Sequence, residues 1–433
     1  MSASLSFDQA PPISVPLRFF LTAPLFLIAA GLALLFTGGD ALGSRWHPHT
    51  LGLTHLLVAG FMLQAMTGAL FQFVPVVTGG NVQRPKRMAG VIHSALTLGA
   101  VLLVAGFFTM NPDLFVAAAF FLGTGLILFL LVVGMALVRA EALGHTLHAL
   151  RGAVFSLLPT TALGIALALA LGGRAAIDPS RLLEAHQAWG LAGWTLLLLA
   201  GVSWSVVPMF QITPAYPRLL TRYFAPCLLG ALGLLSAGVL VGIPLLVVVG
   251  EMALLAAAAA FAASTLVVQA RRKRKTSDST LLLFRGAMVC LLAFCAMGAL
   301  GAMLPSLAEM PGPPVVMGLL LILGVFVSVI CGMLYKIVPF LVWLHLQDRP
   351  AESETPPHMN KMIPPLRSRW QMQLHFLSLA LLLPAPWFPL LARAGGLCLA
   401  LSAGLLLWNL MAALAIYRRF KSRNPAGAPH RES

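Results

Sequence analysis

The chain has 433 residues, of which 59% are hydrophobic and 9% charged, with a formal net charge of +15. A water-soluble globular chain carries roughly a quarter charged residues, so this composition excludes a water-facing surface. Apolar runs of about 20 residues, whose backbone must satisfy itself in lipid, read as membrane-spanning helices.

Twelve such runs follow one another, near 17–37, 50–78, 88–109, 113–138, 149–172, 184–210, 222–242, 244–269, 281–305, 314–344, 369–389 and 391–417. The first reads as a retained helix rather than a cleavable signal, because it is long and follows little positive charge. Breaks between the seventh and eighth and between the eleventh and twelfth are short Gly/Pro interruptions in nearly continuous apolar sequence. Loops are short, so the expectation is one transmembrane domain, with the Pro-rich stretch 345–369 as a flexible cytoplasmic loop. With the N-terminus in the cytoplasm, all but Arg45, Arg174, Arg181 and Arg393 of the 28 Lys and Arg fall on the cytoplasmic side. That asymmetry follows the positive-inside rule. It places both termini in the cytoplasm of a bacterial-type inner membrane and assigns the basic charge to topology rather than to nucleic acid. The expected partner is the lipid bilayer. All five cysteines lie in predicted spans and read as apolar packers.

One phrase recurs. "GALFQFVPVV" from Gly68, "GVSWSVVPMF" from Gly201 and "GMLYKIVPFL" from Gly332 align on Pro75, Pro208 and Pro339, which are 133 and 131 residues apart. Gly60, Gly193 and Gly324 stand fifteen residues before those prolines. Phe71, Trp204 and Tyr335 stand four before, and Val74, Val207 and Val338 immediately before. The pattern G-x7-G-x2-[FWY]-x2-V-P on the second, sixth and tenth helices predicts three parallel four-helix repeats, about 17–138, 149–269 and 281–417. The predicted fold is thus an all-α membrane protein with pseudo-threefold symmetry. The glycines are expected to bring backbones close, and each proline to kink or end its helix.

Intramembrane histidine is costly unless paired or ligating. His55 lies about a turn inside the outer face of the second helix, His47 and His49 precede it in "WHPHTLGLTH", and His186 follows Glu184 at the start of the sixth helix. Met317 takes the position equivalent to His186 on the tenth helix, with Met303 and Met310 at that helix's entrance. Imidazole and thioether together suit copper, and imidazole is also an axial heme ligand. The plain alternative has His47, His49 and His186 solvated at the interface and His55 bonded to a neighbouring carbonyl. His55 and His186 stand twenty and twenty-two residues before their prolines, about 200° apart on a regular helix, so they are not equivalent copies. On the opposite side, Lys336 reads as a snorkelling side chain. Glu251 is the single carboxylate well within a span, and both are candidates for a proton or transport path.

Twelve spans in three arcs of four, with the second, sixth and tenth central and a histidine near the outer end of the second, resemble heme-copper oxidase subunit I. The helix ends are most similar to oxidase-like membrane proteins related to the NnrS group. The resemblance implies that His55 ligates a low-spin heme. It also implies a cluster of copper and heme histidines on the sixth, seventh and tenth helices. Between His186 and His345 the chain has no histidine, so ordinary oxygen or nitric oxide reduction is excluded on ligand count. The leading expectation is a non-canonical relative that binds heme b or copper near the periplasmic face and acts in respiratory, nitrogen-oxide or copper physiology. The alternatives are a permease for a metal ion or small solute, and a cofactor-free accessory subunit with respiratory or assembly partners.

Overall fold

The computed structural model describes residues 9–423 apart from 141–143, 177–178, 275, 305, 307–308 and 348–356. Among the described residues it is entirely helical. In chain order the long helices are α1 (Ser14–Thr37), α2 (Pro48–Thr78), α3 (Pro85–Thr109), α4 (Pro112–Val138), α5 (His145–Leu171), α6 (Leu182–Gln211), α7 (Arg218–Val241), α8 (Pro244–Ala270), α9 (Ser279–Met303), α10 (Gly312–Leu344), α11 (Pro365–Leu382) and α12 (Leu390–Arg423). Among the described residues, eleven are long and apolar enough to cross a membrane; α11 is not one of them. The segment predicted at 369–389 therefore shifts. Pro384 and Pro386 end the helix at Leu382, and its first turns carry Arg367, Arg369, Gln371 and His375. Between α7 and α8 the predicted break is a tight one, with Gly242 left-handed at φ 74° and Pro244 opening the next helix. The predicted loop 345–369 is ordered from His358 on: Met359–Lys361 forms a turn, Met362 is buried, and α11 begins at Pro365. Residues 348–356 of that loop lie outside the described residues.

Burial sorts the helices into two classes. In their most apolar stretches α2, α6 and α10 have 78%, 67% and 83% of residues buried, against 22–50% in the other spans. The remaining nine helices form a ring, α1–α3–α4–α5–α7–α8–α9–α11–α12, that closes where α12 packs on α1. The ring presents Phe36, Phe120, Leu131, Phe155 and Leu240 outward. So much exposed large apolar surface fits a lipid bilayer and not water.

The recurring glycines work as close-approach points. Gly60 and Gly68 lie against Phe26 and Phe19 of α1, Gly193 and Gly201 against Ser156 and Ala149 of α5, and Gly324 and Gly332 against Cys290 and Leu283 of α9. Each inner helix thus lays its glycine pair on the helix that precedes it. In lipid there is no hydrophobic drive between helices, so such close van der Waals contact carries much of the association. Two arginines bridge further neighbours. Arg151 of α5 donates through Nε and Nη2 to the carbonyl of Leu137 at 3.0 and 2.9 Å, and Arg285 of α9 donates to that of Gln269 at 3.2 Å. Both cations sit at the carbonyl-rich end of the preceding helix, where the helix dipole favours them.

The inner helices share a second feature. Each changes from α to π geometry over Leu56–Met62, Trp189–Leu196 and Leu319–Val327. These segments begin nineteen, nineteen and twenty residues before Pro75, Pro208 and Pro339. π-helix is rare and concentrates at functional sites. The prolines sit inside or at the end of helix that continues beyond them, so they do not stop it at once.

Candidate functional site

The π segments divide each inner helix into a histidine end and a proline end. At the histidine end, α2 opens with a cap: the Nδ1 of His47 accepts the backbone N–H of His49 at 3.3 Å, with Pro48 at the first helical position. This contact gives His47 a helix-starting role. The His49 ring stacks on Phe108 of α3 at 4.9 Å, and its Nδ1 is buried without a hydrogen-bond partner among the described residues.

Immediately before the π segment, Nδ1–H of His55 donates to the Leu51 carbonyl at 2.8 Å, and the ring lies on Phe107 at 5.1 Å with an interplanar angle of 22°. On α6, Nδ1–H of His186 donates to the Thr160 carbonyl of α5 at 3.1 Å. Its ring fills the space left by Gly164, where a Cβ would stand 3.0 Å from it. His55 and His186 lie within electrostatic reach of each other. Both carbonyl bonds place the proton on Nδ1, so both Nε2 atoms keep a free lone pair. A bond from the second ring nitrogen to a carbonyl is the support that metal-ligating histidines ordinarily have. It is also what a purely structural histidine makes, so geometry alone leaves both roles to His55.

Among the described residues, no three His, Cys, Asp or Glu side chains gather to hold a metal ion. An imidazole Nε2 with its lone pair free is a donor that both an axial heme site and a copper site use. The Met317 methyl lies over Gly298 of α9, 3.5 Å from where a Cβ would stand, and Met303 and Met310 are exposed.

The path candidates separate as well. Glu251 is exposed on α8, within electrostatic reach of Glu184 at the start of α6. Lys336 is not a free snorkelling cation. Its Nζ donates to Oδ2 of Asp278 at 2.8 Å, with only 13% of the lysine side chain exposed. Asp278 also caps α9 by accepting the Leu281 N–H at 3.0 Å, and Arg274 stands 3.7 Å from the same carboxylate oxygen. Burial pushes the Asp278 carboxyl up, but the hydrogen bond and charge of Lys336, the Leu281 N–H and the Arg274 charge together hold it below its ordinary value.

Sequence reasoning passed over a polar cluster joining α10, α11 and α12. His375 is fully buried and shares a 2.7 Å hydrogen bond with the Ser328 hydroxyl. Gln371 donates to Ser402 at 2.9 Å, and Asn409 donates to the Tyr335 hydroxyl at 3.0 Å. The spacing 371, 375, 378 on one helix and 402, 409 on the next was the available signal, an i, i+4, i+7 stripe of polar residues. Such interhelical bonds hold membrane helices together, while Gln371 Oε1 and His375 Nδ1 are buried without a hydrogen-bond partner among the described residues.

Comparison of the chain with protein-family models and with curated proteins gave no match.

Proposed function

We propose that the chain is a heme-copper oxidase subunit I-like membrane protein, built from three parallel four-helix repeats, that holds a heme b iron at His55. The histidine end would face the periplasm of a bacterial-type inner membrane, with both termini in the cytoplasm. The observation that carries the reading is the pair His55 and His186, each with Nδ1 tied to a carbonyl and Nε2 free, at one end of the two inner helices. Support for the repeat comes from the π segments in matching register and from the three glycine pairs, each against the preceding helix.

Bound there, the iron would supply one-electron chemistry. This chain's own residues would hold and orient it: His55 as a fixed-tautomer ligand, Phe107 as the wall beside that ring, and His186 as a second imidazole. Oxygen reduction is not part of the proposal, because the copper ligands are missing. The permease reading loses one of its path residues to the Lys336–Asp278 pair.

An optical spectrum with metal analysis of detergent-purified protein, beside a His55→Ala variant, tests this. A reducible heme band present in the parent and absent in the variant is the expected result. A colourless, metal-free parent, unchanged by the substitution, would sink the reading in favour of the permease or accessory subunit.

A further inference from the structure

At the proline end of the bundle, an open pocket of about 500 Å³ lies against the start of α3. Its walls are Arg84, Pro85, Lys86 and Arg87, with Pro12 from the segment ahead of α1. Nε2 of His345, at the end of α10, lies 3.2 Å from the Pro11 carbonyl and fixes the Pro12 wall. A fourth cation reaches the same place from α1. Nε of Arg18 donates to the Ser14 carbonyl at 3.2 Å, and its Nη1 stands over Gly90, 3.0 Å from where a Cβ would be. Gly90 is one turn along α3 from Lys86.

Other cations at this end are used within the protein. Arg151 and Arg285 serve carbonyls, and Arg274 and Lys336 face Asp278. Arg84, Lys86 and Arg87 are exposed, and their side chains make no ion pair or hydrogen bond among the described residues. Charge topology explains why basic residues gather at one end, but not why cations from two helices converge on one pocket. Beneath it the surface turns apolar. Arg87 heads an exposed stripe on α3 with Val91, Leu98 and Val101, and Arg18 heads one on α1 with Leu25 and Leu32.

We infer that this pocket and the two stripes below it form a binding site for an anionic phospholipid, its phosphates among Arg18, Arg84, Lys86 and Arg87 and its acyl chains along α1 and α3. Basic pockets between membrane helices are suited to such headgroups. A zwitterionic lipid would bring no net charge to four cations, and a free phosphate would leave the apolar stripes unused. The fit is best for a headgroup with two phosphates, as in diphosphatidylglycerol. The inference does not rest on the heme proposal, since it uses other residues at the other end of the molecule.

Native mass spectrometry of detergent-purified protein, with diphosphatidylglycerol and phosphatidylethanolamine of matched chains, tests it. One diphosphatidylglycerol is expected to stay bound where phosphatidylethanolamine does not. Removing the three α3 cations together, as Arg84→Gln, Lys86→Gln and Arg87→Gln, should weaken it on the order of a hundredfold. Arg418→Gln, Arg419→Gln and Lys421→Gln remove as many cations from the end of α12 and should leave binding unchanged. Arg18→Gln should weaken it about tenfold, and carries the test if the triple variant misfolds by size exclusion. Equal retention of both lipids by the parent would overturn the site, as would unchanged binding in the Arg18 and α3 variants or equal loss in the α12 variant. Inorganic phosphate should not displace the lipid at matched phosphate concentration. Displacement by it would show a bare anion pocket and overturn the assignment to a lipid.

Discussion

At the histidine end the inner helices carry imidazoles whose hydrogen-bonding capacity is half used, while at the proline end they surround an apolar cavity and α10 is tied to the start of α9 by an ion pair. Between the ends lies the stretch that the three helices share, with its glycines and π segments. The shared phrase begins at the glycines, fifteen residues before each proline, whereas His55 and His186 stand twenty and twenty-two residues before theirs. What repeats is the packing that brings each inner helix onto its predecessor, and what differs lies just outside it. Close-packed glycines tolerate little change without strain, but a terminal turn tolerates a histidine on one helix and a methionine on another.

The sharpest way to break this contrast is at the histidine end. His55→Ala should lower heme per protein by more than tenfold, the scale already seen for loss of a supporting second-shell group. His186→Ala should lower it as well if both imidazoles ligate. His49→Ala is expected to leave heme content unchanged, because its ring stacks on Phe108 rather than joining the pair. Equal losses in all three variants would show that the whole end simply unfolds, and the two ends would then not differ in kind.

The shared stretch is tested by a methyl group. A Cβ at Gly201 would stand 2.7 Å from the Cβ of Ala149, closer than two methyl groups can approach. Gly201→Ala should destabilise the bundle by about 1–3 kcal/mol, the usual cost of overpacking, as a lower midpoint of thermal unfolding in detergent. Ala149→Gly in the same chain should restore most of the loss. Failure of that rescue would mean that the α5–α6 contact is not what the glycine serves.

At the proline end the ion pair gives a smaller effect with a pH signature. Asp278→Asn should cost about 1–2 kcal/mol, combining a weakened cap with a partly buried lysine left unpaired. The sign follows from its lowered carboxyl. The contribution is complete at neutral pH, above the ordinary carboxylate value near 4, and is lost as pH falls through the folded-state value below it. Stability measured from pH 7 to pH 3 should therefore fall more steeply in the parent than in Asp278→Asn. Parallel curves would show that Lys336 gains nothing from its partner.

Eleven of the twelve expected spans were legible because lipid leaves no alternative to a helix over a long apolar run, and boundaries such as 88–109 against Pro85–Thr109 differ by a turn or less. The exception, α11, was drawn too far, since apolar residues after Leu382 hid the prolines that end it. The inner position of α2, α6 and α10 was legible in the glycine phrase. The π segments were not, because that geometry depends on how neighbouring helices crowd the chain and leaves no simple periodicity. For the site, His55 and His186 were visible as intramembrane histidines, but the carbonyls of Leu51 and Thr160 that fix their tautomers carry no sequence identity at all. Lys336 was read alone because its partner Asp278 lies fifty-eight residues away on another helix.

The smallest effect belongs to the residue that sequence reasoning grouped with the ligands. If His47 is a cap, its contribution comes from one acceptor atom on the His49 N–H, and a lost cap costs typically about 1 kcal/mol. His47→Ala should then lower the unfolding midpoint slightly and leave heme content intact, while His47→Asp or His47→Ser, which place an oxygen acceptor at the same point, should recover stability. A ligand would behave oppositely: serine would not replace imidazole, and heme would be lost without regard to the cap. Measured together, the midpoint and the heme ratio separate a residue that starts the helix from one that the helix exists to present, and that distinction sets where the histidine site ends.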